Sequence, residues 1–277
     1  MFNLKRTFGN LSAVLALAAC GGSATTPTVY QSFIGTDVSS STVGGDAIKN
    51  GQVAQLSGSY QHDTGATKVS DGSYTLNDAN GFDANDTLTD GVSTIRADAV
   101  NFTGTYDFAR PFTQTNAGGF DVLGIVGLAT ASQDIPSSNT VEFVGEAVGV
   151  LATNTQGIDM TNGTSQVFAN FSTDKVTVTL SDFTMIDQLS GATITGPLDE
   201  INITNMTISS NGFQFGTATT RLEGTVVDVL GNSPQRSASG TFFGINADGT
   251  QPAEVGGAIL LQGDDGQING LFIAAAN

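Results

Sequence analysis

Few side chains in this sequence are equipped to do chemistry. It holds one histidine, His62, one cysteine, Cys20, and no tryptophan. His62 stands in Gly58-Ser59-Tyr60-Gln61-His62-Asp63, and a second phenol, Tyr74, follows twelve residues later. Imidazole and phenolate both ligate haem iron, so His62, Tyr60 and Tyr74 form a candidate haem or metal set. A solvent-facing turn histidine beside Asp63 is the alternative. As a catalytic base His62 lacks partners: the chain has no Gly-x-Ser-x-Gly elbow and no thiol besides Cys20 to serve as nucleophile. The usual zinc sites need several His or Cys ligands. Carboxylate pairs such as Asp264-Asp265 abound, but glycosidase chemistry needs two placed across a cleft. Asp78, Asn80, Asp83, Asn85, Asp86 and Asp90 are oxygen donors of the kind calcium takes. Phe82, however, stands where an EF-hand loop wants Asp or Asn, and neither register ends in glutamate. A calcium-stabilised loop and a plain acidic turn both stay open. Gly256-Gly257 lies among strand-like residues rather than before a helix, so it is no phosphate loop. No catalytic residue is assigned, no resident cofactor is required, and the chain is read as a non-enzyme.

Cys20 finds its chemistry in what precedes it. Met1-Phe2-Asn3-Leu4-Lys5-Arg6 is a short basic head, followed by a mostly apolar run to Ala19. That is the layout of a secretory signal peptide, and its apolar core of about a dozen residues falls short of the ~20 a spanning helix needs. Leu17-Ala18-Ala19-Cys20 resembles the lipobox of bacterial lipoproteins. The resemblance implies diacylglycerol on the Cys20 sulfur, cleavage before it and fatty acylation, such as palmitate, of the new amino terminus. Several acyl chains, at ~0.8 kcal/mol per buried CH₂, hold a protein at a membrane stably. Gly21 follows in place of an aspartate, which by analogy with Gram-negative lipoproteins implies the outer membrane or cell surface; the periplasmic face stays open. Residues 1–19 are thus read as the leader and 20–29 as a lipidated tether, small and polar from Gly21 to Pro27.

Composition limits the partners. Nine basic residues face 26 acidic ones, a net charge of −17. Taking Lys5 and Arg6 away with the leader leaves seven against 26, near −19. Nucleic acid, which calls for a Lys/Arg surface, is excluded as a partner, and so is electrostatic adsorption to anionic lipid. With no second cysteine there is no disulfide, so stability must come from buried apolar area.

The elements that would position these residues are strands. The 35 glycines and frequent Asn/Asp-Gly steps signal tight turns, and no long stretch after residue 20 keeps a helical apolar period. The chain is expected to be all-β. Strands are expected at Val53 to Tyr60, Gly72 to Leu76, Val92 to Ala97 and Val100 to Phe108, with Gly35 to Gly45 as loop and Gly119 to Thr130 as a buried strand. From Val141 onward about eight strands recur at short spacing. Val176, Val178 and Leu180 alternate there with Thr177 and Thr179, and Ser209-Ser210-Asn211-Gly212 reads as a hairpin turn. An eight-stranded antiparallel up-and-down barrel accounts for that half, because closure removes exposed edges. A membrane-spanning barrel is disfavoured by short strands and by the absence of tryptophan.

Ser239-Gly240-Thr241-Phe242-Phe243-Gly244-Ile245-Asn246-Ala247, then Pro252-Ala253-Glu254-Val255-Gly256-Gly257-Ala258, resembles the barrel signature of transferrin-binding protein B and its relatives. Phe143-Val144-Gly145-Glu146-Ala147 and Val167-Phe168-Ala169-Asn170-Phe171 resemble earlier strands of that barrel. The resemblance implies an eight-stranded barrel over 136–277 preceded by a smaller β-rich handle over 30–135. The paired aromatics would fill the barrel, and Glu254, at the start of a strand, would bind loop amides. Transferrin-binding protein B has two lobes, and this chain has room for one. Members of the group are surface or outer-membrane lipoproteins that bind host iron proteins, complement regulators or haem. By that resemblance the chain would be a monomeric, lipid-anchored binder of a nutrient ligand, haem or iron related, or of a protein partner, working with an outer-membrane receptor. A structural or adhesive envelope lipoprotein is the alternative.

Overall fold

A computed structural model describes residues 41–49, 52–61, 67–70, 75–78, 87–89, 93–97, 102–116, 119–196, 198–224, 230 and 235–277. Apart from one short 3₁₀ turn and the lone helical residue 230, regular structure among them is strand. The N-terminal sheet is built from β1 (Ser41–Lys49), β2 (Gln52–Tyr60), β3 (Thr67–Ser70), β4 (Thr75–Asp78), β5 (Thr87–Thr89), β6 (Ser93–Ala97), β7 (Ala109–Asn116) and β8 (Gly119–Leu128). Its order is β4-β3-β2-β1-β8-β7-β6-β5, antiparallel throughout, so its first and last strands meet at the centre. Val43, Leu56, Tyr60, Ile95, Phe112 and Val126 lie in its core.

The second sheet contains β9 (Thr140–Thr153), β10 (Gly157–Asn170), β11 (Lys175–Ser181), β12 (Thr184–Asp187), β13 (Thr193–Ile194), β14 (Glu200–Ser209), β15 (Gly212–Gln214), β16 (Thr219–Glu223), β17 (Gln235–Phe243), β18 (Glu254–Gln262) and β19 (Gly266–Ala276). Eight of them close a ring, β9-β10-β11-β14-β15-β17-β18-β19, and β19 returns to β9 along Gly266↔Thr153 to Ala276↔Phe143. The expected eight-stranded antiparallel barrel is the fold. β16 continues the line of β15 along β14, and the β12–β13 hairpin branches onto the start of β10.

Period-two alternation sets which side chains face inward. β11 shows it plainly, with Val176, Val178 and Leu180 buried between half-buried Thr177, Thr179 and Ser181. Inside, Phe242 touches Phe143, Phe171 and Phe213 at ring-centroid distances of 6.0, 5.3 and 5.4 Å. β18 is buried on both faces: Val255, Ile259 and Leu261 face the barrel, while Ala258 packs beneath the handle with Ile125, Leu271 and Ile273.

Several expectations are corrected. Ser41–Gly45 is strand rather than loop, because Gly44 and Gly45 let β1 lie against its neighbours; a Cβ on Gly45 would strike the Ile125 carbonyl. Residues 102–108 are loop rather than strand, because their N–H groups bond to barrel side chains instead of a ladder. The aromatic pair is split: Phe242 fills the barrel and Phe243 packs outside it, under the handle, as neighbours in a strand must. β9 and β10 run to 14 residues each, so the barrel's strands are not uniformly short. The apolar lumen is nonetheless the reverse of the polar interior of a membrane-spanning barrel.

Candidate functional site

Four residues of the C-terminal signature, Phe243, Gly244, Glu254 and Gly256, meet at the seam between handle and barrel. Glu254 opens β18, opposite the end of β17, and is 5% exposed. Its carboxylate accepts the backbone N–H groups of Asp107, Phe108 and Ala109 at 2.6, 3.1 and 2.9 Å. The expectation that Glu254 binds loop amides is met, and the loop belongs to the handle. Burial pushes the Glu254 carboxyl up to about 7, even though the three N–H bonds pull it down.

Two further carboxylates cross the same seam. Glu146, on β9, accepts the N–H groups of Thr103 and Gly104, both at 2.9 Å, and the Thr103 hydroxyl. Asp46, on β1, reaches the other way, accepting the hydroxyls of Ser239 at 2.5 Å and Thr241 at 2.8 Å. It has no exposed surface, and burial pushes its carboxyl up to about 7 against those two hydrogen bonds. Tyr106 lies between the acids. Burial first, then the charges of Glu146 and Glu254, hold its phenol protonated well above the ordinary range.

Gly244 and Gly256 make the close approach of handle and barrel possible, while Gly240 and Gly257 make room within the barrel. Gly244 has φ +56°, and the ring of Phe108 occupies the place a Cβ would take. Its N–H bonds Leu128 O at 2.9 Å, while the Thr130 hydroxyl bonds its carbonyl at 2.6 Å. A Cβ on Gly256 would meet Ile125 of the handle, and one on Gly257 would meet Ser239 O and the Phe272 ring. Gly240 leaves room for the Phe213 ring. Ala247 lies exposed in the β17–β18 turn, which Asn246 holds through the N–H groups of Thr250 and Gln251.

The proposed ligand set is placed only in part. Tyr60, at the end of β2, is 7% exposed within the handle core, and burial raises its phenol pKa. His62 and Tyr74 lie outside the described residues, as do Cys20 and most of the acidic segment from Asp78 to Asp90. Among the described residues no group of three or more His, Cys, Asp or Glu side chains is arranged to hold a metal ion. The roles of Asp46, Glu146 and the 102–108 loop at the seam are what sequence reasoning missed. A carboxylate inside an apolar run, as in Gly45-Asp46-Ala47-Ile48 and Gly145-Glu146-Ala147-Val148, was the available signal.

No family model matches the sequence, and no curated protein matches it. Solved structures do. Two variants of transferrin-binding protein B from Haemophilus parasuis superpose with TM-scores of 0.51 and 0.52 at 17% and 15% identity. Each likeness covers 85% of this chain and 45% of the other, so the chain spans less than half the length of those proteins. The haemoglobin receptor HpuA from Kingella denitrificans, in its complex with human haemoglobin, gives a TM-score of 0.46 at 14% identity, over 87% of this chain and 90% of that one. The handle docked on a closed barrel is, in this chain, the fold seen in transferrin-binding protein B.

Proposed function

We propose that this protein is a lipid-anchored binding protein of the Gram-negative envelope, which holds a nutrient ligand or a protein partner without transforming it. The docked handle-and-barrel unit, shared in fold with transferrin-binding protein B, supports this reading most. The signal-peptide layout and Leu17-Ala18-Ala19-Cys20 support export and acylation of Cys20, with 20–29 as the tether that sets the folded part off from the membrane. The scarcity of catalytic groups supports binding over turnover. The partner is a host protein or an iron-related ligand at the outer membrane or cell surface, and the binder acts as a monomer beside an outer-membrane receptor. His62, Tyr60 and Tyr74 are the residues to test for haem.

Metabolic labelling with an alkyne fatty acid, followed by protease treatment of intact cells, tests location. Label on the wild type, none on Cys20→Ser, and loss of the protein from intact cells are expected. An unlabelled wild type would end the lipoprotein reading. An absorption spectrum of the protein from its own host tests haem: a Soret band lost in His62→Ala supports that ligand, and its absence directs the search to protein partners.

A further inference from the structure

A groove runs along the open edge of the seam, in three adjoining chambers of about 400, 390 and 410 Å³. Val53 and Ser237 line both the first and the second, and Gln55 both the first and the third, so the chambers share walls. The handle strand β2 lends Gln52, Gln55 and Ser57; the barrel lends Asn211, Gln214 and Ser237. Each chamber falls within the volume range of small-molecule sites, which favour junctions between domains.

The polar groups are poised and underused. Gln214 Nε2 donates to Gln55 Oε1 across the groove at 3.0 Å. That bond takes one of the two N–H donors of Gln214 and one lone pair of Gln55, leaving both amides with donors and acceptors to spare. On the floor Ser239 and Thr241 give their hydroxyl protons to Asp46, so toward the groove they are acceptors only. Val53 and Phe215 add apolar surface to the first chamber.

From this array of neutral amides and hydroxyls beside a short apolar strip, we propose that the groove binds a neutral oligosaccharide. Sugar rings present hydroxyls, each both donor and acceptor, beside weakly apolar C–H faces, and the walls offer the complement of both. Other ligand classes fit worse. The first and third chambers, where the Gln55–Gln214 pair stands, have no charged side chain in their walls; the second holds one, Arg236, and the net charge of −17 repels anions from the face as a whole. A cation would find no carboxylate there, because Asp46 is sealed beneath Ser239 and Thr241. The proposal rests on the binding-protein reading and names the ligand class for this face.

The test uses the full chain in a detergent without a sugar headgroup, applied to an array of unsulfated, asialo hexose and N-acetylhexosamine oligomers. Hits are confirmed by saturation-transfer NMR with a matching tetrasaccharide. Binding to at least one neutral glycan is expected, weakened about tenfold or more in a Gln55→Ala/Gln214→Ala variant. Both side chains are exposed, so the variant's thermal midpoint should stay near that of the wild type. A blank array, binding of charged glycans alone, or undiminished binding by the double variant would overturn the proposal. A blank array alongside a specific protein partner crosslinked on intact cells would remove the glycan site and leave the binding-protein reading standing.

Discussion

Replacing Glu254 with glutamine keeps the shape of the side chain and removes its charge at every pH. In the wild type the carboxyl is pushed up to about 7 from an ordinary value of 4.5, and burial is the main cause. The unfolded chain ionises near 4.5, so between that pH and about 7 folding takes up a proton. The stability this group contributes is therefore full below about 4.5 and is lost as pH rises through the folded value near 7. A displacement of about two and a half units corresponds to roughly 3 kcal/mol, an order of magnitude for one group. Glu254→Gln lacks that dependence; its one amide oxygen can still accept from Phe108 and Ala109, which share Oε2, while its NH₂ then faces the Asp107 N–H. Glu254→Ala abandons all three N–H groups, of which Ala109 N is buried, at about 1–3 kcal/mol for that buried donor and less for the two part-buried ones. Urea unfolding from pH 4.5 to 8.5 should show Glu254→Gln with a shallower decline than the wild type, by close to one proton. It should be the less stable protein at pH 5 and equal or better at pH 8. Glu254→Ala should be the least stable of the three at pH 5. Parallel curves for wild type and Glu254→Gln would refute the account of a carboxyl whose titration burial in the seam pushes up to about 7.

Three further outcomes follow from the geometry. Phe242→Ala and Phe243→Ala should each cost about 3–5 kcal/mol, but hydrogen exchange should separate them. The first should loosen barrel amides around Phe143 and Phe213, the second the handle amides around Ala109 and Ile125. Gly244→Ala should destabilise by more than the 1–2 kcal/mol of a left-handed alanine, because the Phe108 ring must also move; a thermal midpoint equal to the wild type would contradict this. Asp187 accepts the N–H groups of Leu189 and Ser190 at 3.1 and 2.7 Å, in a turn that leaves Leu189 87% exposed. Asp187→Ala should speed exchange of those two amides and leave the barrel amides unchanged.

The barrel was legible because its signals are local. Alternation in Val176-Thr177-Val178-Thr179-Leu180 and the polar run Ser209-Ser210-Asn211-Gly212, which turns at Ser210-Asn211, each mark a strand or turn within a few residues. The handle's first strand was not, since Ser, Thr and Gly in 41–45 read as loop until the Ile125 carbonyl explains the glycine. The 102–108 segment was misread for a related reason. Its apolar residues suggest a strand, and nothing nearby in sequence reveals that Glu146 and Glu254, some 40 and 150 residues further on, accept its N–H groups. Phe242 and Phe243 form a pair in the sequence and a boundary in the molecule; alternation implies the split, but the cover over Phe243 comes from the handle.

The seam also accounts for how so acidic a chain joins two sheets. With 26 acidic residues and nine basic ones, most carboxylates have no cation to meet. Glu254 meets N–H groups of an irregular loop, of which that of Ala109 would be costly to bury unpaired, Glu146 meets two exposed N–H groups of the same loop, and Asp46 meets two hydroxyls. Barrel acids hold the handle, and a handle acid holds the barrel. Each contact needs both partners in place, so the three oppose hinging of the handle on the barrel more than an equal area of apolar packing, which could slide. A groove whose walls come from β2 on one side and β15 and β17 on the other keeps its width only while that hinge is locked. The carboxylates that the sequence shows merely as negative charge therefore set the shape of the face most suited to binding.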